Sequence, residues 1–152
     1  MSILSKVTSP EIPVERLGED FYRADIEFEG VDHSGSTYEG RVFVNNVDAS
    51  PDTEPTPENG YAGSYFVFGH GGCYGDEGHC DVVVRSPYDP RPPHGLWPIR
   101  KVVTATDAVG RAAAASETLT VTVVPVVLST TDKVPEDETI PNFQSVSVIT
   151  YQ

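Results

Sequence analysis

A two-residue alternation of apolar and charged side chains is the clearest pattern in the sequence, and it spans residues 22–29. The apolar positions are Tyr22, Ala24, Ile26 and Phe28, and the charged positions between them are Arg23, Asp25, Glu27 and Glu29. A period of two residues is typical of a strand that buries one face. We therefore predict a strand whose apolar face lies in a core and whose charged face points outward.

Short runs of β-branched and aromatic residues, separated by turn-forming residues, predict six further strands. They cover residues 41–45, 61–68, 81–85, 100–104, 118–124 and 145–151. One alanine-rich segment instead has helical spacing, with Thr106 placed to cap it and an apolar stripe formed by Ala108, Val109, Ala112 and Ala115. About seven strands with one short crossing helix predict an all-β fold, either an antiparallel β-sandwich or a jelly-roll-like barrel.

The organisation of the chain follows from its length and its proline content. A chain of 152 residues fits one domain. We assign residues 1–18 to an N-terminal extension and residues 19–152 to a single sandwich domain. Three segments rich in proline or acidic residues, 48–60, 86–98 and 129–142, are unsuited to central strands and are predicted as loops.

The charge of the chain excludes some classes of partner. Acidic residues outnumber basic ones by 23 to 10, for a net charge of −13, and the basic residues form no cluster. Nucleic acids and anionic membrane surfaces bind concentrated positive charge, so neither is an expected partner. We find no signal-peptide pattern and no apolar run of about 20 residues that would cross a bilayer, and we therefore favour a cytoplasmic location.

Both cysteines and two of the four histidines lie in one glycine-rich stretch, residues 69–80. The spacing of the thiolates and imidazoles would allow them to hold one copper ion or, less readily, zinc; the candidate ligands are His70, Cys73, His79 and Cys80. The alternative is structural, with Cys73 and Cys80 joined in a disulfide or packed as buried thiols. We favour the structural interpretation, because cysteine pairs more commonly serve packing or bridging.

The proline-rich segment 86–98 contains the single tryptophan, Trp97. An extended strip of this composition is a candidate docking site for a partner. We favour a second interpretation, a lid whose indole packs inward, because a buried indole adds much apolar area to a core.

Patterns typical of catalytic sites are missing from the sequence. It has no Gly-x-Ser-x-Gly elbow and no glycine loop placed to bind phosphate. Its carboxylates are numerous, but no pair has the isolation that glycoside hydrolysis requires. Independent catalysis is therefore not expected.

Several segments resemble, in order and spacing, the C-terminal module of the polyphenol oxidases and other tyrosinase-family proteins. They are residues 41–46, 60–67, 101–109, 119–125 and 146–151, so the resemblance extends from about residue 20 to the end. Its most specific parts are Tyr61-Ala62-Gly63-Ser64 and the helix that leads to 119–125. The resemblance implies a β-sandwich that docks on a type-3 copper catalytic domain, in the same precursor or in a separate chain, and that shields its entrance or assists its maturation.

The same resemblance implies more specific roles. Tyr74 is a candidate plug for the partner's site, since its phenol imitates a phenolic substrate. The cysteine and histidine loop is similar to the cysteine pairs that some fungal tyrosinase tails are thought to use in loading copper, so a copper-binding or copper-delivery module is an alternative function. The chain has only four histidines, fewer than the six of a coupled dicopper centre, so phenol oxidation is not expected of it.

A further hypothesis is a free-standing binding or self-assembly domain. β-Sandwiches carry many unrelated binding functions, so the fold alone does not identify the partner. The edge strand predicted at 145–151 would add to a neighbour's sheet and build a homo-oligomer.

Overall fold

The computed structural model describes residues 3–71, 78, 80–82, 86–90, 95–128 and 139–152, and the alternating segment is the central strand of a sheet. Within these residues the strands are β1 Ile3–Leu4, β2 Val7–Thr8, β3 Ile12–Pro13, β4 Arg23–Val31, β5 Tyr38–Val44, β6 Tyr61–Val67, β7 Ile99–Thr104, β8 Thr118–Leu119, β9 Val121–Val127, β10 Thr139–Ile140 and β11 Ser145–Tyr151. The α-helix, α1, spans Thr106–Ala115, and short 3-10 turns span Val14–Leu17 and Pro57–Asn59.

Two antiparallel sheets enclose the core and make the sandwich. The strand order of the first sheet is β11-β4-β7, and that of the second is β2-β9-β5-β6. β4 pairs with β11 in an unbroken register, from Glu29 opposite Ser145 to Arg23 opposite Tyr151. Two small pairs, the antiparallel β3-β8 and the parallel β1-β10, complete the pairing in the described residues. Neither sheet closes on itself in this part of the chain, so the sandwich is confirmed and the barrel is not observed.

Most of the predicted strands are confirmed, with bounds that shift by a few residues. The strand predicted at 145–151 has these bounds in the structure, and the one predicted at 22–29 runs over Arg23–Val31. The strand predicted at 81–85 is the exception. Asp81 and Val82 lie in a loop, and residues 83–85 lie outside the described residues.

Phe28 stands in the core between the two sheets. Its ring centroid lies 4.7 Å from that of Tyr65 and 5.2 Å from that of Phe143. Ala24, Ile26 and Phe28 are all fully buried, which confirms the predicted apolar face of β4. Tyr22 is 70% exposed, because β4 begins only at the next residue.

The charged face of β4 points outward as predicted, yet two of its carboxylates are nearly inaccessible to solvent. Asp25 is 2% exposed and Glu27 is 7% exposed. Arg23 donates to both carboxylate oxygens of Asp25 at 2.9 and 2.8 Å, and Arg100 of β7 donates to Glu27 at 2.6 Å. The hydrogen bond from Arg23 lowers the pKa of Asp25. The two arginines therefore cover and neutralise the acids beneath them.

The sandwich is closed on one side, where β6 of the second sheet lies against β7 of the first. Gly63 of β6 has a φ of 138°, and a Cβ there would stand 2.7 Å from Cγ1 of Val103. Glycine is needed at this position because of both the backbone conformation and the close approach of the sheets. On the opposite side, the Val14–Leu17 turn packs beside β11; Leu17 is buried in the core, and its carbonyl accepts a hydrogen bond from Thr150.

The predicted helix is confirmed, and its buried residues are Ala108, Val109 and Ala112; Ala115, the fourth residue of the predicted stripe, is exposed because it lies at the end of the helix. The predicted cap was wrong: the N-cap residue is Ala105, and no side chain caps the helix. Thr106 lies within the helix, and its hydroxyl accepts a hydrogen bond from the backbone amide of Ala24 at 3.1 Å. The hydroxyl of Thr106 is thus used in a tertiary hydrogen bond with β4 and not in capping the helix. No helix in the described ranges has the length and apolar character needed to cross a membrane.

Segments predicted as an extension or as loops also pack on the sheets. β2 pairs with β9 and β3 pairs with β8, so residues 7–13 add to the sandwich. Within the predicted loop 48–60, Ala49 packs against Phe43, Val124 and Tyr61 in a small second apolar cluster. β10, within the predicted loop 129–142, pairs with β1.

Candidate functional site

The predicted site residues that the structure describes lie at one end of the sandwich, where β4 and β6 end and β7 begins. We define this loop end as residues 32–37, 68–71, 80–82 and 95–98. It contains the predicted residues His70, Cys80 and Trp97. The other predicted site residues, Cys73, Tyr74 and His79, lie outside the described residues.

His70 is held against the turn that follows β4. Its backbone amide donates to the carbonyl of His33 at 3.2 Å, and its ring Nδ1 lies 3.1 Å from the same oxygen. The two imidazole ring centroids are 5.0 Å apart, with an angle of 73° between the planes. A side chain on Gly69 would collide with the backbone of Gly35 and Ser36, so glycine allows this close approach. His33 was not among the predicted site residues. Its position just after β4 was the sequence feature that could have placed it beside His70.

Trp97 lies on a short strap, residues 95–98, that is attached to the rest of the loop end through its backbone. Nε2 of His33 lies 2.7 Å from the carbonyl oxygen of Trp97. The amide of Leu96 donates to the carbonyl of Cys80 at 3.0 Å. Trp97 is 63% exposed, so the expectation of an inward-packed lid was wrong. The backbone contacts hold the strap in place and leave the side chain in solvent.

The proposed metal ligands are only partly described. Cys80 is disulfide-bonded, and a sulfur in a disulfide is not the thiolate that binds a metal. Copper binding through this residue would therefore require prior reduction. Within the ranges given above, no group of three or more histidine, cysteine or acidic side chains is arranged to hold a metal ion. Because His79 and Cys73 lie outside those ranges, copper binding stays a prediction.

Exposed apolar side chains gather at or beside the loop end. Phe66, Phe68, Trp97 and Leu128 are 48, 77, 63 and 52% exposed. The amide of Leu128 donates to the carbonyl of Thr37 at 3.2 Å, which joins the end of β9 to this region. Single exposed apolar residues are ordinary, but a group of them at one end of a domain is typical of an interaction surface. We call these four residues the apolar rim.

A shallow cleft lies at the opposite end of the sandwich, beside the start of α1. Its volume is about 670 Å³, and its lining includes Phe21, Asp107 and Arg111. The hydroxyl of Thr106, which also lines it, accepts the hydrogen bond from Ala24. The lining residues do not include a histidine, cysteine or serine. The apolar rim is the stronger candidate site.

Comparison with known proteins adds one structural likeness. No protein-family model and no curated protein sequence matches the chain. Among solved structures, the chain is similar to a recombinantly expressed latent aurone synthase, a polyphenol oxidase, with 17% sequence identity and a TM-score of 0.47. The match covers 99% of this chain and 24% of the other, so the chain spans about a quarter of the length of that protein.

Proposed function

We propose that the chain is a non-catalytic module that docks on a type-3 copper catalytic domain and shields its entrance or assists its maturation. The order of motifs that resembles the C-terminal module of polyphenol oxidases supports this proposal. The observation that carries it is the apolar rim, because it offers a protein partner an exposed apolar surface at the loop end. The glycine-rich stretch 69–80 contains the predicted plug, Tyr74. Its two ends, residues 69–71 and 80, belong to the loop end beside this surface.

The apolar rim is preorganised for binding, because hydrogen bonds fix the backbone around it while its side chains are exposed to solvent. Trp97 lies on a strap with two hydrogen bonds, and Phe68 precedes a segment whose amides donate to Thr37, His33 and Gly35. A partner would order few backbone groups on binding, which lowers the entropic cost of association. Exposed tryptophan in such a place is typical of the residues that dominate interface energies.

The charge next to the rim is compatible with burial under a partner. Glu39 is opposite Phe66 in the sheet. Its Oε2 lies 3.3 Å from Nε of Arg41, and its Oε1 accepts a hydrogen bond from Ser64 at 2.8 Å. A partner that covers Phe66 would not leave this carboxylate without a counter-charge, so the desolvation penalty is reduced.

The test mixes the full chain with a type-3 copper phenol oxidase domain that lacks a C-terminal module of its own. We expect binding and a slower oxidation of diphenol. Trp97→Ala and Phe68→Ala should each weaken binding by about tenfold or more, as expected for residues at the centre of an interface. Tyr74→Ala should bind normally and release the oxidase activity.

Tyr22→Ala is the matched control. Tyr22 is 70% exposed, comparable to Trp97, but it precedes β4 and so lies at the opposite end of the sandwich. Its substitution should leave binding unchanged. Failure of the chain to bind any such domain would overturn the proposal, and so would an equal loss of binding in the Tyr22 and Trp97 variants.

A further inference from the structure

β11 is a long edge strand that pairs with no second strand in the described residues, although the Val14–Leu17 turn packs beside it and accepts a hydrogen bond from Thr150. The order of the two sheets makes β11, β7, β2 and β6 their edge strands. β6 and β7 lie against each other and close one side of the sandwich, and β2 has only two residues. β11 has seven residues and pairs with β4 alone. Among the edges, β11 thus has the most backbone available to another strand.

The composition of β11 lacks the usual devices that keep edge strands apart. Charged side chains, proline and β-bulges commonly block the pairing of exposed edges. The residues of β11, Ser-Val-Ser-Val-Ile-Thr-Tyr, include no charge, proline or glycine, and their pairing with β4 has no bulge. β7, the other edge of the same sheet, carries Arg100 and Lys101, and its pairing with β4 is irregular after Phe28.

We propose that β11 pairs antiparallel with β11 of a second copy of this chain, so that two three-stranded sheets become one six-stranded sheet across a two-fold axis. The strand is self-complementary. With Val148 opposite its own copy, Ser147 faces Ile149 and Val146 faces Thr150. Residues 146, 148 and 150 of both copies then stay on the core side, because an antiparallel two-fold pairing preserves the alternation of faces.

The charges near β11 oppose this pairing only weakly. The nearest acidic residues of β4, Asp25 and Glu27, are paired with Arg23 and Arg100. In the six-stranded sheet β4 and its copy would be about 14 Å apart, or three strand spacings. That distance exceeds the Debye length of about 8 Å at physiological ionic strength. The net charge of −13 on each chain still repels, so self-association should strengthen as salt is added.

The experiment measures the mass of the full chain by sedimentation over a wide range of protein concentration at low and high salt. We expect a monomer–dimer equilibrium that shifts towards dimer with concentration and with salt. Ser147→Lys should weaken dimerisation by roughly tenfold or more, since a lysine on an edge strand resists coverage by another strand. The fold should tolerate this change, because Ser147 is exposed and lies opposite Glu27.

Val102→Lys is the matched control. Val102 is 42% exposed and also lies opposite Glu27, but on β7 at the other edge of the sheet. The Val102→Lys variant adds the same charge as Ser147→Lys to the same outer face of the sheet, and it should leave dimerisation unchanged. A strictly monomeric chain under all conditions would overturn the proposal, as would a Ser147→Lys variant that dimerises normally or a Val102→Lys variant that loses the dimer equally. Ser145→Lys, opposite Glu29, replaces Ser147→Lys if thermal unfolding shows that the latter is unfolded.

This inference is independent of the proposed docking function. The apolar rim lies at the loop end, whereas β11 forms the edge of the first sheet away from β6 and β7. Dimerisation through β11 would leave Trp97 and Phe68 outside the pairing strands. A failed docking experiment therefore has no bearing on the sedimentation result, and the converse is also true.

Discussion

Replacement of Gly40 by alanine tests how tightly the two central aromatic residues are packed. Gly40 of β5 lies opposite Tyr65 of β6. A Cβ at residue 40 would stand 2.5 Å from Cζ of Tyr65. The ring cannot simply move into solvent, since Tyr65 is only 3% exposed and its centroid lies 4.7 Å from that of Phe28 and 6.1 Å from that of Tyr38. Gly40→Ala should therefore strain the core.

Two effects of opposite sign determine the magnitude. Overpacking of a well-packed core costs about 1–3 kcal/mol, whereas alanine in place of glycine within a strand stabilises by about 0.5–1 kcal/mol. We expect the clash to dominate, with a net loss of about 1–2 kcal/mol in the free energy of unfolding. For a domain of this size the loss corresponds to a decrease of about 2–8 °C in Tm.

A double-mutant cycle identifies the cause. Tyr65→Leu removes the ring atoms that a methyl at residue 40 would meet, so Gly40→Ala in that background should be neutral or stabilising by about 0.5 kcal/mol. Urea unfolding of the four proteins, with the disulfide intact, should give a coupling energy of about 1–3 kcal/mol. Gly110→Ala is the control; apart from the backbone of α1 itself, no atom of the described residues lies within 4 Å of the Cβ position at residue 110, so the change should stabilise both backgrounds by about 0.8 kcal/mol. An equal cost of Gly40→Ala in both backgrounds would refute the steric argument.

Two further predictions concern charge and metal. The pKa of Asp25 is lowered from 3.8 mainly by its hydrogen bond from Arg23. The ionised carboxylate therefore stabilises the folded chain at any pH above the pKa of Asp25 in the unfolded state. This stabilisation is lost as the pH falls through the lower pKa of the folded state. Arg23→Ala should therefore be less stable than the unmodified chain at pH 7, with a difference that shrinks as urea unfolding is repeated below about pH 4; a difference that does not change with pH would contradict this. The copper-delivery alternative predicts that the reduced chain binds Cu(I) near one equivalent and that Cys73→Ser with Cys80→Ser abolishes the binding; an unchanged copper content in that variant would rule out the cysteines as ligands.

Strands were the most predictable part of this fold, and the strap with Trp97 was the least. The alternation at 22–29 indicated both β4 and the face that it buries, since consecutive side chains of a strand point to opposite faces whatever lies around them. The exposure of Trp97 depended instead on backbone contacts with His33 and Cys80, at sequence separations that no local pattern encodes. Composition favoured a buried indole, and the tertiary contacts produced the opposite result.

Local periodicity therefore determined most of the long strands, the helix and the face that β4 buries. The tertiary structure alone decided that Glu27 is covered: it is only 7% exposed because Arg100, 73 residues away in the sequence, lies over it. It also decided that β6 and β7 shield each other while β11 keeps an edge with no second strand in the described part of the chain. The reason is that periodicity depends on neighbours along the chain, whereas burial and edge position depend on residues that meet only after folding.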